Sequence, residues 1–485
     1  MTEISTLITE KELKKCPTGI EGLDELTYGG LPQGRPTLIC GNAGCGKTLM
    51  SMEFIVNGAT KFNEPGVYVS FEEKSEELIT NFNSLGFDLK HLEETKKISL
   101  EYIYIERSEI EETGEYDLDG LFLIIGNAID TIGAKRIVLD TVEALFSGFT
   151  NEAILRAELR RLFRFLKDKG VTAIITGERG DRYMTKYGLE EYVADCVIML
   201  DHRVNDQIAT RRLKIIKYRG SKHGTNEYPF LIDEKGISVL PVTSVGLDYQ
   251  VSSDRIKTGV EGFDLMLDNK GYFKGSAILV SGAAGTGKTS ISGHFVDSCC
   301  SKGMKCLYFA FEEPQNQIIR NLKNIGLDLK KWVDKDLLKF SANRPTHTGI
   351  EMNLVGMHKI ITEFKPEIIV IDCVSNLITS GALLDVKAMM IRLLDFVKMK
   401  QITTLMTDLS VIANINDTEI GISSMTDTWI RLINMERNHE LIRTVNIIKS
   451  RGMNHSNAIT EFVIGENGIK LKEMNSTKIG WKTGE

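Results

Sequence analysis

No stretch of this sequence approaches the roughly 18 apolar residues needed to span a bilayer, and Met1 to Cys16 mixes Glu and Lys without an apolar leader core. No membrane association is expected, and the cytoplasm is the expected compartment. The eight cysteines, Cys16, Cys40, Cys45, Cys196, Cys299, Cys300, Cys306 and Cys373, show neither CxxC spacing nor a nearby histidine pair. They read as reduced and mostly buried, not as metal ligands or disulfide partners. An excess of positive charge is also missing. A formal net charge of −7 gives no general attraction to polyanions, so nucleic acid is not an expected partner.

What is present is a chain of 485 residues, 42% hydrophobic and 26% charged, long enough for two to four globular domains. Two are expected, because the sequence repeats itself. Thr18-Gly19-Ile20-Glu21-Gly22-Leu23-Asp24 returns as Thr258-Gly259-Val260-Glu261-Gly262-Phe263-Asp264, and Ser70-Phe71-Glu72-Glu73 as Ala310-Phe311-Glu312-Glu313. A period of roughly 240 residues is far longer than a solenoid repeat and marks a duplicated domain. The polar seam near Pro241 to Asp254 sets the expected domains at 1–240 and 254–485, with a linker at 241–253.

Within the first copy, Thr37 to Cys40, Val67 to Val69, Ile137 to Leu139 and Ala173 to Ile175 read as strands buried on both faces. Glu158 to Leu166 carries apolar residues at helical spacing between them. That alternation implies an α/β fold with a mostly parallel sheet flanked by helices.

Gly41-Asn42-Ala43-Gly44-Cys45-Gly46-Lys47-Thr48 and Gly282-Ala283-Ala284-Gly285-Thr286-Gly287-Lys288-Thr289 both fit GxxxxGK[ST]. Small residues let such a loop wrap phosphates with backbone N–H groups and a helix N-terminus. Lys47 and Lys288 are expected to reach the β- and γ-phosphates of ATP, and the hydroxyls of Thr48 and Thr289 to bind Mg²⁺. Each loop follows an apolar strand and opens a helical pattern. Asp140 and Asp372 end later apolar runs and read as the Walker B carboxylates of the Mg²⁺ site; alone, such an aspartate is more often a helix cap.

The pairs Glu72-Glu73 and Glu312-Glu313 follow the next strand, where a carboxylate can face a γ-phosphate and polarise an attacking water or hydroxyl. The alternative is a solvated helix start. Lys217 and Arg219, and again Lys449 and Arg451, are two apart and share one side of a strand. A solvated edge strand would look the same; in a ring, these cations could act on a neighbour's γ-phosphate as arginine fingers do.

In this order and twice over, P-loop, glutamate pair, Walker B aspartate and KxRG strand resemble the KaiC family, double-domain RecA-like ATPases and autokinases of the cyanobacterial clock. Tyr187 to Tyr192, Asn226 to Phe230 and Ile422 to Thr428 add to the likeness, which covers roughly residues 14 to 470. The resemblance implies two tandem RecA-like P-loop NTPase domains in a homohexamer of two stacked rings, with ATP between subunits. The first ring would be a slow ATPase and the second a kinase.

Carried over by residue, the family's ATP contacts fall on Ser84, Lys217, Arg219 and His223 in the first copy, and on Arg443, Lys449, Arg451 and His455 in the second. Glu72 and Glu312 take the general-base role, with Glu312 also near Mg²⁺. The phosphorylation sites fall on Ser423 and Ser424, and Thr418 matches a further threonine. Ser424 stands where the family has threonine, Asn457 where it has a lysine near the nucleotide, and Ile325 where it has a tryptophan close to the base. The stretch after Phe462 is shorter than the family's activator-binding tail, which counts against control by KaiA; KaiB, bound by the family's first ring, stays a candidate partner.

One internal comparison needs no relative. Gly421-Ile422-Ser423-Ser424 in the second copy stands where the first has Gly188-Leu189-Glu190-Glu191, so only the second copy offers hydroxyls there. On the residues alone, two serines beside Thr426 and Asp427 are more often turn or capping residues. The leading expectation is an ATPase and serine autokinase acting as a timer or switch. A nucleotide-gated scaffold without kinase activity and a RecA-like nucleic-acid motor are the other classes, the last disfavoured by charge and by the lack of an evident basic, aromatic channel.

Overall fold

Strands that are apolar at every position, not at alternate ones, must be covered on both faces. Leu38 and Cys40 do pack into one core and Ile39 into the other, on opposite sides of one sheet. The computed structural model describes residues 13–104, 118–146, 152–180, 194–205, 208–234, 236–241, 251–345, 349–380, 383–409, 421–437 and 439–472. They divide into two compact units, Met1–Thr243 and Ser244–Glu485.

In the first unit, β1 (Lys15–Cys16) and β2 (Leu31–Pro32) form a small ladder. The main sheet contains β3 (Pro36–Gly41), β4 (Gly66–Ser70), β5 (Ile98–Tyr102), β6 (Arg136–Asp140), β7 (Thr172–Glu178), β8 (Cys196–Asn205), β9 (Ile208–Tyr218), β10 (Glu227–Asp233) and β11 (Gly236–Val239). Its order is β11-β10-β9-β8-β3-β7-β6-β4-β5. Strands β3 to β8 run parallel, and β9 to β11 return antiparallel.

The second unit repeats this plan. After the ladder of β12 (Arg255–Ile256) and β13 (Tyr272–Phe273) come β14 (Ala277–Gly282), β15 (Cys306–Ala310), β16 (Leu338–Ala342), β17 (Ile368–Asp372) and β18 (Thr403–Leu409). The remaining strands are β19 (Thr428–Arg437), β20 (Glu440–Ser450), β21 (Thr460–Gly465) and β22 (Gly468–Leu471). The order β16-β15-β17-β18-β14-β19-β20-β21-β22 is the first sheet read from its other edge. Two mostly parallel sheets flanked by helices are the tandem RecA-like fold expected.

All four strand runs expected in the first copy lie inside β3, β4, β6 and β7. The helical pattern lies in Glu152–Asp168, which buries Leu155, Leu159, Leu162, Phe163 and Leu166 at the spacing of one helix face. All eight cysteines are free and buried. Among the described residues no helix is long and apolar enough to cross a membrane. The segment 187–192, with Glu190 and Glu191, and Thr418 lie outside the described residues.

Candidate functional site

Each P-loop joins the central strand of its sheet to a helix, Lys47–Lys61 after β3 and Lys288–Cys300 after β14. The glycines are there for backbone reasons. Gly44 (φ 72°), Gly46 (φ 106°), Gly285 (φ 75°) and Gly287 (φ 101°) have left-handed conformations that cost other residues strain. Gly41 and Gly282 are needed for space, since a Cβ would lie 2.5 Å from Leu200 O or 2.8 Å from Leu432 O. Lys47 Nζ donates to Gly41 O at 2.8 Å and Asn42 O at 3.1 Å, and Lys288 Nζ to Gly282 O at 2.7 Å and Ala283 O at 2.9 Å. Burial pushes Lys288 below the usual lysine range, against the pull of Cys373, Asp372, Glu312 and Asp408.

Near each loop, the Walker B aspartate ends the strand one place beyond the P-loop strand's neighbour, β6 past β7 and β17 past β18. Tyr68 donates its hydroxyl to Asp140 Oδ2 and Tyr308 to Asp372 Oδ2, each at 2.6 Å, while Thr176 and Thr407 donate to the other oxygens. These bonds fix the carboxylates, whose charge in turn pushes both buried tyrosines, already raised by burial, well above the usual range. Thr289 Oγ1 donates to Asp372 Oδ2 at 2.9 Å. A P-loop hydroxyl and a strand-end carboxylate in contact are a donor set that fits Mg²⁺ on bound ATP.

The glutamate pairs stand in the turns that follow β4 and β15, before the helices Ser75–Asn83 and Gln315–Lys323. Glu72 and Glu312 are exposed at the strand ends; Glu72 Oε1 accepts from Thr141 Oγ1 at 3.2 Å. Glu73 and Glu313 are half-buried and accept from Asn81 and Asn321 on the next helix. The first of each pair is therefore oriented toward solvent and the second is tied back. Ser84, the C-cap of Ser75–Asn83, donates to Asn81 O at 2.7 Å.

The cations named for the two sites do not converge in one chain. Arg443, on β20, donates Nε to the P-loop carbonyl of Gly285 at 3.3 Å. Lys449 and Arg451, at the other end of the same strand, are opposite Trp429 and beyond it, beside Ala277 where β14 begins. A rise of about 3.3 Å per residue separates Arg443 from Lys449 by roughly 20 Å. Lys217 lies at the matching end of β9 and Arg219 in the turn just past it, where Arg219 Nη1 is 3.8 Å from Asp195 Oδ1. Neither β9 nor β20 is an edge strand. His223 Nδ1 is 2.9 Å from Gly224 O, and His455 is half-buried in the loop after β20.

Ser423 and Ser424 are on a short 3₁₀ turn, Ser423–Met425, at that far end of β14. Ser423 is half-buried and Ser424 exposed. The turn rests on the two cations: Lys449 Nζ donates to Ser423 O at 2.6 Å and Arg451 Nη2 to Ser424 O at 2.8 Å. Asp427 anchors the strand beneath it, with Oδ2 accepting from Ala277 N at 2.8 Å and paired with Lys398 at 2.8 Å. Burial lowers the Lys449 ammonium from its ordinary range, and Arg451 adds to that.

Sequence reasoning passed over three residues. Arg211 matches Arg443 in sheet register and at the offset that aligns the KxRG strands; its Nε is buried without a hydrogen-bond partner among the described residues. Behind each Walker B aspartate, Glu143 accepts the Glu178 N–H in the first unit, while Ser375 Oγ accepts the Leu409 N–H at 2.8 Å in the second and donates to Asp408. A carboxylate and a serine in matching positions hide the equivalence.

A family model described as "ATPase: KaiC" matches residues 16–244 and 256–476, one span in each unit. Circadian clock protein KaiC2 of Synechocystis is 54% identical over 464 residues, covering 95% of this chain and 82% of that one. Circadian clock protein KaiC3 of the same organism is 37% identical, covering 95% and 92%. Circadian clock oscillator protein KaiC of Synechococcus elongatus is 36% identical, covering 98% and 92%. With a family model matching both halves and relatives 36 to 54% identical over 95% or more of the chain, the chain belongs to the KaiC family of ATP-binding ATPases.

Proposed function

We propose that this protein is an ATPase and serine autokinase that works as a ring of identical subunits, a homohexamer in which each ATP is shared by two neighbours. The observation that supports this most is the split of the second site. Lys288, Asp372 and Glu312 cluster at the C-terminal end of β14, whereas Ser423, Ser424, Lys449 and Arg451 gather at its N-terminal end. A chain's own γ-phosphate is thus out of reach of its own serines, and a second copy has to bring donor and acceptor together.

In that reading Glu312 accepts the serine proton as Oγ forms its bond to the γ-phosphorus. The bond from that phosphorus to the β-bridging oxygen breaks, and ADP leaves. Lys449 and Arg451 offset the charge that builds on the transferred group. Thr289 and Asp372 would hold Mg²⁺, which neutralises phosphate charge when bound; Thr48 and Asp140 do the same in the first unit. There Glu72 orients water instead, so that site hydrolyses ATP. Phosphorylation state is the output of a cytoplasmic timer or switch, and a KaiB-type partner for the first unit follows from the family resemblance alone.

Intact-mass measurement after incubation with Mg·ATP tests this reading. Additions of one and two phosphates, lost in Ser423→Ala/Ser424→Ala, are expected. An unchanged mass with continuing ADP release would leave a nucleotide-gated scaffold.

A further inference from the structure

The P-loop helices of both units carry a titratable side chain at the same turn, Glu53 in Lys47–Lys61 and His294 in Lys288–Cys300. Each grips the terminal hairpin of its own sheet. Glu53 Oε2 accepts the Ile237 N–H at 2.9 Å at the start of β11, and His294 Nε2 accepts the Ile469 N–H at 3.1 Å at the start of β22. The residue before each amide is a glycine with a left-handed backbone, Gly236 (φ 100°) and Gly468 (φ 84°). A Cβ there would come within 2.7 Å of Glu53 Oε2 or 2.4 Å of His294 Cε1. Two unrelated side chains therefore fill one architectural position.

The hairpins they hold also touch the phosphate loops. A Cβ on Gly46 would lie 3.1 Å from Ile232 Cδ1 of β10, and one on Gly287 would lie 2.7 Å from Ile464 Cδ1 of β21. Movement of either hairpin is thus felt at the last glycine before the P-loop lysine.

We infer that Glu53 and His294 are pH-responsive latches holding each hairpin on its phosphate loop, and that acidification tightens the first latch while loosening the second. Glu53 is buried and His294 half-buried, which favours the neutral form of each, and neutrality is reached from opposite directions by a carboxyl and an imidazole. Burial pushes Glu53 up to about 7, opposed by the Ile237 N–H, by Lys61 and Asn57 on its own helix, and aided by Asp233 on the hairpin. The protonated carboxyl keeps a carbonyl oxygen for Ile237. Its pKa is raised, so its stabilisation is complete below the ordinary value of 4.5 and is lost as pH rises through about 7.

Burial lowers His294 from 6.5, opposed by Asp297, which is itself engaged by Trp332 and Lys331. The neutral ring accepts through Nε2, but the imidazolium has no acceptor. Its pKa is depressed, so its contribution is complete above 6.5 and falls away as pH drops below that value. None of this depends on kinase activity.

Hydrogen exchange of the full chain with ATP, from pH 5.5 to 7.5 and with rates divided by the intrinsic rate at each pH, tests the latches. Toward pH 5.5 the protection of Ile469 should fall by about threefold or more and that of Ile237 should rise. Glu53→Gln and His294→Gln each retain an acceptor without titrating, and each should flatten its own hairpin's profile alone. Slopes of the same sign in the wild type, or slopes that survive in the matching variant, overturn the inference. If a variant fails to fold, the signs of the two wild-type slopes decide it.

Discussion

Glu72 and Glu312 have equal positions at the ends of equivalent strands, and the proposed function gives them different tasks because the sequence has Ser423 and Ser424 in the second copy where the first has Glu190 and Glu191. Glu72→Gln keeps the side chain's size and its contact with Thr141 while removing the base. Hydrolysis at the first site is expected to fall by ~10²–10⁴-fold, with phosphate still entering the second unit. Parallel assays of ADP release and radiolabel incorporation check this; an equal loss of both would contradict the division of labour. Residues with identical chemistry in both copies were legible in the sequence. Those that change type between copies, Glu53 with His294 and Glu143 with Ser375, were not, because their equivalence is a matter of backbone partner and not of side chain. Arg211 was within reach of the sequence, since the KxRG alignment already pairs it with Arg443.

Elements were easier to read than their connections. Runs such as Ile137-Val138-Leu139 announce a doubly covered strand, and a P-loop after β3 or β14 announces where the helix starts. The antiparallel hairpins β10–β11 and β21–β22 gave no such signal, although Ile232 and Ile464 bring them close to Gly46 and Gly287 of the phosphate loops. Their role yields a prediction at this scale. Gly287→Ala puts a methyl group 2.7 Å from Ile464 Cδ1 at a φ of 101°. A left-handed alanine costs about 1–2 kcal/mol, a strain that the empty loop relieves by opening and that ATP binding restores, so binding at the second site should weaken by up to roughly 5–30-fold. Calorimetric titration of a variant whose first site is already filled measures this. Unchanged affinity would mean that the loop tolerates the shift and that the hairpin does not brace it.

At the scale of the whole molecule, duplication has produced two units of one topology, and each unit separates its phosphate loop from its cationic strand end. The sequence announced both motifs but not that they lie at opposite ends of one sheet, since only the register of β14 with β19 and β20 reveals it. That separation underlies the proposed transfer of phosphate between subunits. Its most direct test mixes Lys288→Ala subunits, which keep both serines, with Ser423→Ala/Ser424→Ala subunits, which keep the second P-loop, and maps phosphopeptides by mass spectrometry. Phosphate on Ser423 or Ser424 of the Lys288→Ala chains only after mixing is the predicted result. Wild-type chains that are phosphorylated there while the mixture stays blank would mean that each chain phosphorylates itself, against the geometry of β14.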